Sequence, residues 1–374
     1  MLTAQVEKQL IMDGSELIVE SLARSGADVF IGYPITPANL LYVYSHERFP
    51  SFFAAPDEIS TLQWMCGFAC AGKFPVTASA FPGFALMLES VNMAYMMELP
   101  MLIILVQRLG PATGTATCGA QGDLALLHGA ISGGYTLPVI GLSSMKDCWE
   151  ISNKAMQMAI ELRTPVVLLT SKEEIMTLST FSIDHLPEIS PIVRKRYSGE
   201  STYVPYKTDE SLVPEFLEVG NPKYQVRFTA STHDQKGIIQ NTSKEAIDNT
   251  KRLDYKHHLH PERYMFYEYD EQPGADVLLV SYGITASACR EAVKNLRKSG
   301  QKVSLFIPKT LLPVPPKYFE IMNKYQRVII AEENLNGQYR QILFGDAGNE
   351  KVSGVNGIAE MITPSRIIEA VNKN

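Results

Sequence analysis

The sequence predicts an α/β protein with two parallel-sheet domains, and three observations support this fold class. Residues 14–170 alternate amphipathic helical patterns with short apolar strands, and a second alternation of the same kind runs from about residue 274 to 372. Helices and strands that alternate at this spacing form a parallel sheet covered on both faces. The residues between, 172–262, are rich in proline and charge with weak periodicity, which predicts an extended connector with some strands or short helices.

The chain therefore divides into a first domain at 1–175, an irregular connector at 176–264 and a last domain at 265–374. The first helix is amphipathic because Leu17, Ile18 and Leu22 recur on one face. Further periodic segments predict first-domain helices at 14–25, 38–48, 58–71, 84–97, near 123 and at 146–162, and strands at 27–31, 75–79, 101–107, 137–141 and 165–170. The last domain is predicted to contain strands 276–281, 302–307 and 327–332, and helices 285–299, 316–325, from 337 and 364–372, with Thr363 as an N-cap.

Length and composition exclude several classes of protein. The 374 residues have room for about two or three domains. A net charge of −6 argues against a nucleic-acid partner or an anionic membrane surface, because both require a basic face. No apolar stretch is long enough to span a membrane, and the N-terminus lacks the pattern of a secretory signal. We therefore expect a cytoplasmic protein.

The cysteines and histidines do not predict a metal site. Five cysteines are scattered along the chain, and Cys66 and Cys70 share one helix face without two further ligands nearby. Buried thiols are the simpler interpretation, and no CxxC run for an iron–sulfur cluster is present. The cluster of His257, His258 and His260 lies among charged residues and is interpreted as solvated.

A turn at Tyr33-Pro-Ile-Thr-Pro37 joins an apolar strand to a helical pattern from Ala38. Thr36 is a favourable N-cap, and Pro37 suits the first helical position. The free N–H groups and positive dipole end of such a helix would lie at the carboxyl end of a strand, where open α/β sheets bind ligands. The alternative is that Thr36 and Pro37 only start a helix.

Two more candidate residues follow strands. Glu58 opens a helix whose next residues, 59–72, are nearly uncharged, and a carboxyl in an apolar environment can exchange protons near neutrality. Arg108 follows the strand 101–107, and its guanidinium suits bidentate binding of a carboxylate. The alternatives are a Glu58 that only complements the helix dipole and an Arg108 in a plain ion pair. With Thr36, these residues indicate a site for an acidic substrate.

The motifs resemble those of one enzyme family. Tyr33-Pro-Ile-Thr-Pro37 resembles the signature of the α subunit of 2-oxoacid:ferredoxin oxidoreductases, and overall similarity favours those acting on 2-oxoglutarate. Further segments resemble family motifs in the family's order: Asp57-Glu-Ile59, Pro82-Gly-Phe-Ala-Leu-Met87, Val106-Gln-Arg-Leu-Gly-Pro-Ala-Thr-Gly114, Gln121-Gly-Asp-Leu124, Thr164-Pro-Val166, His233-Asp-Gln-Lys-Gly237 and Glu332-Glu-Asn-Leu-Asn-Gly-Gln338. The resemblance spans almost the whole chain.

The resemblance implies an enzyme that converts a 2-oxoacid, coenzyme A and oxidised ferredoxin into acyl-CoA, CO2 and reduced ferredoxin. The first domain would be the pyrimidine-binding half of a thiamine diphosphate site, and the last domain would be like the C-terminal domain of transketolase. A β subunit would supply the diphosphate-binding half, with Mg2+ and iron–sulfur clusters on partner subunits. Two-subunit members carry another domain before the first helix, so separate γ and ferredoxin-like δ subunits are expected here.

The resemblance also assigns roles. Glu58 matches the glutamate that activates thiamine diphosphate through a hydrogen bond to the pyrimidine N1′. Thr36 and Arg108 match positions that contact the carboxylate and carbonyl of the substrate. Pro34, Ile35 and Phe81 are expected to contact the cofactor together with Glu58, and no residue of this chain is assigned to a metal.

Several residues depart from the family's pattern. Ser79-Ala-Phe-Pro-Gly83 stands where the family has Thr-Ser-Gly-Pro-Gly, and Leu109 replaces a glycine. Because phenylalanine does not share the backbone freedom of glycine, a reshaped pocket is expected. Pyruvate and branched-chain or aryl 2-oxoacids therefore stay open as substrates beside 2-oxoglutarate.

Other interpretations also stay open. Gly122-Asp123-Leu124 with Asn153 is close to the Gly-Asp-Gly…Asn motif that holds Mg-diphosphate, but it lacks the third glycine and the preceding buried strand. We interpret it as a coincidence. The rival functions are a non-catalytic assembly subunit and a half-enzyme like transketolase or 1-deoxyxylulose synthase that uses no ferredoxin.

Overall fold

A computed structural model describes residues 9–182, 184 and 186–373. The strands are β1 Gln9–Met12, β2 Val29–Gly32, β3 Ser51–Ala54, β4 Pro75–Ser79, β5 Met101–Gln107, β6 Val139–Gly141, β7 Pro165–Ser171, β8 Ser179–Ser182, β9 Tyr267–Asp270, β10 Val277–Ser281, β11 Val303–Pro308, β12 Thr310–Leu312, β13 Arg327–Glu332 and β14 Val352–Asn356. The α-helices are α1 Gly14–Arg24, α2 Asn39–Arg48, α3 Glu58–Cys70, α4 Phe81–Met96, α5 Leu124–His128, α6 Met145–Leu162, α7 Lys172–Met176, α8 Lys244–His258, α9 Thr285–Lys298, α10 Pro316–Met322, α11 Gln338–Phe344 and α12 Pro364–Asn372.

Two sheets organise the molecule. The first has seven strands in the order β12-β6-β7-β5-β4-β2-β3, and the second has five in the order β14-β13-β10-β11-β9. Every strand pair in them is parallel except β12 with β6 and β9 with β11. The α/β fold class with two largely parallel sheets is therefore confirmed. Four strands of these sheets were not predicted from the sequence: the parallel strands β3 and β14 and the short antiparallel edge strands β9 and β12. A further antiparallel ribbon joins β1 to β8.

Both faces of each sheet are covered by helices. One apolar cluster packs helices α1 and α6 on the first sheet, and another packs α9 and α12 on the second. A third cluster is shared, because side chains of α3 and α4 in the first domain pack in the same core as Leu278, Phe306 and Tyr339 of the second. The two sheet domains are thus joined through one continuous core.

The connector is more ordered than the sequence analysis predicted, because α8 is a helix of 15 residues. Its buried face is largely polar and includes Asn249, Arg252, Lys256 and His257. A helix that buries ionised side chains against a partner carboxylate lacks the apolar periodicity by which helices are recognised. Among the described residues, no helix is both long and apolar enough to span a membrane.

Candidate active site

Four adjacent strands bring the predicted site residues to one edge of the first sheet. Strands β5, β4, β2 and β3 lie side by side, and their carboxyl ends meet at the same edge because they are parallel. Arg108 follows β5, the start of α4 follows β4, the turn 33–38 follows β2, and Glu58 follows β3. This edge is where an open α/β sheet binds its ligands.

Arg108 and Thr36 are in direct contact although they lie 72 residues apart. Arg108 donates a hydrogen bond from Nη1 to the Thr36 carbonyl oxygen at 2.5 Å, reaching across the end of β4. Arg108 is 6% exposed, and its Nε is buried without a hydrogen-bond partner among the described residues. A buried guanidinium with an unused donor is suited to a bound carboxylate, because the guanidinium fork binds both carboxylate oxygens.

The prediction that Thr36 is an N-cap was wrong. Helix α2 begins at Asn39, and its first intrahelical bond runs from Tyr42 N to the carbonyl of Ala38. An N-cap carbonyl normally accepts such a bond, but the Thr36 carbonyl is occupied by Arg108. Thr36 and Pro37, joined by a cis peptide bond, lie in the turn before the helix. The hydrogen bond from Arg108 to the Thr36 carbonyl thus takes the place of the N-cap interaction that the sequence favours for Thr36.

Glu58 is the first residue of α3, as predicted, and its carboxyl lies against the first turn of α4. The side chain of Asp57 caps α3 by accepting from Ser60 N at 2.6 Å, which leaves Glu58 free to point elsewhere. A Cβ placed on Gly83 would lie 2.6 Å from Glu58 Oε1 and 2.1 Å from Ser79 Oγ. Glu58 is 7% exposed, and no described residue donates a hydrogen bond to its carboxyl. Only a glycine at position 83 therefore leaves room for this arrangement.

The other predicted cofactor residues lie in the turn after β2 and at the start of α4. Pro34 is exposed, and Ile35 is half-buried against the cluster that covers the α1 face of the sheet. Phe81 is the first residue of α4 and follows Ala80, which is fully buried. Because Phe81 has a helical backbone, position 81 does not require the conformational freedom of glycine. The phenylalanine therefore differs from the family's glycine mainly in the side chain that it places at the site, and not in the backbone.

Two polar residues at this edge, Ser79 and Asp123, were not among the predicted site residues. Ser79, the last residue of β4, places its Oγ beside the Glu58–Gly83 contact. Asp123 is buried with Oδ2 unpaired among the described residues, and burial raises its pKa to about 7 although nearby Arg108 acts in the opposite direction. The only local signal for Asp123 was the near-match to the Mg-diphosphate motif. Its proposed companion Asn153 instead donates to Ser25 Oγ, at the opposite edge of the sheet.

The loop that begins with Arg108 is anchored to the second domain. Gln121 is fully buried, donates to the Tyr282 carbonyl at 2.7 Å and accepts at Oε1 from Thr285 Oγ1 at 2.6 Å and Glu333 N at 2.8 Å. Asn334 Nδ2 also donates to the Gln121 carbonyl. The last domain therefore determines where this loop ends. In the part of the chain that the structure describes, no group of three or more His, Cys, Asp or Glu residues is arranged to hold a metal ion.

Two family models match most of the chain. Residues 20–252 match the model described as pyruvate flavodoxin/ferredoxin oxidoreductase, thiamine diphosphate-binding. The chain belongs to the 2-oxoacid:ferredoxin oxidoreductase family. Residues 275–361 match the model for core domain II of pyruvate:ferredoxin oxidoreductase. The resemblance seen in the sequence motifs is thus confirmed.

Individual relatives agree with this assignment. The 2-oxoglutarate synthase subunit KorA of Methanocaldococcus jannaschii is 28% identical over 336 residues, covering 88% of this chain and 90% of the relative. A structure of 2-oxoglutarate:ferredoxin oxidoreductase from Magnetococcus marinus, with 2-oxoglutarate, coenzyme A and succinyl-CoA bound, matches with a TM-score of 0.92 and 28% identity. The match covers 99% of this chain but 66% of that one, so the chain spans about two thirds of this relative. A split-gene transketolase, 15% identical with a TM-score of 0.55, shares the fold.

Proposed function

We propose that this chain is the α subunit of an enzyme that oxidatively decarboxylates 2-oxoglutarate, with coenzyme A and ferredoxin as co-substrates. The observation that carries the proposal is the meeting of Arg108, Thr36 and Glu58 at neighbouring strand ends of a thiamine diphosphate-binding domain. The names of the relatives support 2-oxoglutarate over other 2-oxoacids.

The residues around Glu58 fit the pyrimidine half of thiamine diphosphate. A nearly buried carboxyl without a protein donor among the described residues can bind a ring nitrogen, and the bare backbone of Gly83 leaves space beside it. Bound thiamine diphosphate would supply the electron sink that lets a 2-oxoacid lose CO2. Glu58 would hold a proton at the pyrimidine N1′, while Pro34, Ile35 and Phe81 would contact the cofactor around it.

Arg108 and Thr36 would bind the acidic end of the substrate. The Thr36 carbonyl holds one nitrogen of the guanidinium, so the unused donors of Arg108 have a defined direction. A guanidinium held in one direction before the substrate arrives is preorganised, and such preorganisation strengthens binding. Asp123 lies close enough for Arg108 to lower its pKa, so a substrate carboxylate would compete with it for the same cation.

We assign the remaining parts of the enzyme to partner subunits. A β subunit would bind the diphosphate with Mg2+ and carry an iron–sulfur cluster, separate γ and δ subunits would complete the complex, and ferredoxin would accept the electrons. These assignments rest on the family to which the chain belongs and on relatives that are named as subunits.

A substrate panel on the natively purified complex tests the proposal. Reduction of a viologen dye is measured with coenzyme A and each of 2-oxoglutarate, pyruvate, a branched-chain 2-oxoacid and an aryl 2-oxoacid. We expect 2-oxoglutarate to give the highest kcat/KM, with cluster absorbance in the complex. A higher kcat/KM for another acid would reject 2-oxoglutarate as the preferred substrate. Absence of iron–sulfur cluster absorbance would favour the transketolase-like alternative. Absence of activity with every acid would favour a non-catalytic assembly subunit.

Replacing Arg108 with alanine is expected to raise the KM for the preferred 2-oxoacid by about tenfold to hundredfold. The reason is that a hydrogen bond to a charged group is worth roughly 1.5–3 kcal/mol. Steady-state kinetics of the assembled complex measure this change. Arg48→Ala, which removes a half-exposed arginine at the end of α2, is the control and should leave KM unchanged. Unchanged kinetics in Arg108→Ala would refute the carboxylate contact.

A further inference from the structure

A second cleft lies at the opposite edge of the first sheet from the candidate active site. Its volume is about 450 Å³. Part of its wall consists of the residues just before β4, β5 and β7, which are the amino ends of parallel strands. The connector, the C-terminal ends of α3, α6 and α8 and the residues after α8 form the rest. None of the residues assigned to the active site lines this cleft.

The cleft is strongly basic although the chain as a whole is acidic. Among the described residues that line it, seven are lysine or arginine and three are aspartate or glutamate. The complete chain, by contrast, has a net charge of −6. A concave surface lined by charges of one sign concentrates ligands of the opposite sign. The cleft therefore favours an anion.

The floor of the cleft holds more buried positive charge than the protein neutralises. Arg163, Arg252 and Lys256 are each less than 10% exposed and surround Glu98, which is fully buried. Lys256 Nζ donates to Glu98 Oε2 at 2.8 Å, Arg252 donates to both carboxylate oxygens, and Arg163 Nε donates to the Glu98 carbonyl at 3.3 Å. Glu98 is the only carboxylate that pairs with Arg252 and Lys256 among the described residues, whereas Arg163 pairs with no carboxylate there and donates to the backbone carbonyls of Glu98, Pro214 and Glu215.

An excess of buried cations is costly unless an anion compensates for it. Burial of an unpaired charge is unfavourable because the interior does not solvate it as water does. Three cations around one carboxylate leave two positive charges in excess, and two of the three, Arg163 and Lys256, line the cleft. A bound anion with more than one negative charge would compensate for this excess.

Two lysines at the rim of the cleft, Lys73 and Lys195, are available to bind an anion. Lys73 is 56% exposed at its side chain and makes only a loose approach to Asp28, at 3.8 Å. Lys195 is exposed and forms no ion pair with a described residue. The other arginines of the rim are already paired, for example Arg263 with Glu161. Phe216 and Tyr264 also line the cleft, and one face of each ring is in contact with an arginine of the chain, Arg163 over Phe216 at 5.2 Å and Arg263 over Tyr264 at 5.6 Å.

We propose that this cleft binds a nucleoside diphosphate. The diphosphate would lie over Arg163 and Lys256 with Lys73 and Lys195 at the rim, and the base would pack on the aromatic wall. A volume of about 450 Å³ lies within the range of small-ligand pockets. Because the cleft and the candidate active site are at opposite edges of the sheet, the ligand would be an effector and not a reactant.

Isothermal titration of the natively purified complex with ADP tests this proposal. Saturating coenzyme A and thiamine diphosphate are present, so that ADP does not report on the cofactor sites. We expect one ADP per copy of this chain, and the double variant Lys73→Ala/Lys195→Ala should raise its Kd on the order of tenfold. Lys207→Ala, which removes an exposed connector lysine outside the cleft, is the control and should not change Kd.

Three results would overturn the proposal. The first is no ADP binding under these conditions. The second is equal ADP affinity in the double variant and the unaltered complex. The third is a loss of ADP affinity in Lys207→Ala as large as that in the double variant. Competition with bound ADP shows which part of the nucleotide the cleft recognises. Pyrophosphate should displace ADP weakly and adenosine should not, because both the diphosphate and the base contribute. Displacement by a polyglutamate peptide as effective as by ADP itself would reject the nucleotide in favour of an acidic protein segment.

Discussion

The complex that carries Glu58→Gln is expected to lose about 100-fold or more of its 2-oxoacid-dependent dye reduction, the lower limit for removal of a positioned acid–base group. Glutamine has nearly the shape of glutamate, so subunit assembly should persist while the exchangeable carboxyl proton is lost. Glu58 makes no hydrogen bond through its carboxyl to any described residue, so its removal should not disturb the fold. Turnover with a viologen dye and size-exclusion chromatography measure the two outcomes.

A matched substitution separates this role from a helix-dipole effect. Glu16 also lies in the first turn of a helix with an aspartate N-cap, so Glu16→Gln should keep near wild-type turnover. Gly83→Ala provides a second test, because the new Cβ would collide with the Glu58 carboxyl and Ser79 Oγ and should also lower turnover. Gly67→Ala, at an exposed position of α3 with open space around it, is its control. Near wild-type activity in both Glu58→Gln and Gly83→Ala would refute the proposed role.

The buried carboxyl of Glu98 is expected to contribute strongly to the stability of the fold. Glu98→Gln should lower the free energy of unfolding by about 3–5 kcal/mol, because removal of the carboxylate from a buried ion pair leaves the cations uncompensated. Here the buried cations Arg252 and Lys256 would lose the only carboxylate that pairs with them among the described residues. Urea unfolding of the chain, followed by circular dichroism, measures the change. Glu89→Gln, at an exposed position of the preceding helix α4, should change it little, and equal stability of the two variants would contradict the prediction.

The same carboxyl predicts a pH dependence. Burial alone would raise the pKa of Glu98, but the Arg252 and Lys256 cations outweigh burial and hold it below its ordinary value of 4.5. Because the pKa is lower in the folded chain, the stabilisation is present above the ordinary value and is lost as the pH falls below it. Stability of the unaltered chain should therefore fall more steeply in acid than that of Glu98→Gln.

The sequence predicted those parts of the fold whose pattern is local. Strand β5 is apolar from Met101 to Val106 and was predicted with its observed bounds, and the start of α3 at Glu58 follows from its Asp57 cap. Helix α8 was underestimated because Arg252 and Lys256 occupy positions where an apolar stripe is normally found. Their burial depends on Glu98, which is more than 150 residues away in sequence, and no local rule detects such a partner.

The site was predictable in its residue types but not in its contacts. Glu58 and Arg108 follow strands in the sequence, so their arrival at one edge follows from a parallel sheet. The bond from Arg108 to the Thr36 carbonyl crosses an intervening strand, and it overrides the capping preference of Thr36. Likewise the contact of Glu58 with Gly83 and Ser79 depends on the packing of α3 against α4, which periodicity does not specify.

The hydrogen bonds of Gln121 connect the last domain to the loop that begins at Arg108, the residue that we assign to the substrate carboxylate. The loop that starts at Arg108 ends at Gln121, and the end of this loop is attached to the backbone at Tyr282 and Glu333. A small rotation of the last domain would therefore pull on the guanidinium that we assign to the substrate carboxylate. Any partner that restrains the last domain would thereby tune substrate affinity from a distance, without a contact to the substrate.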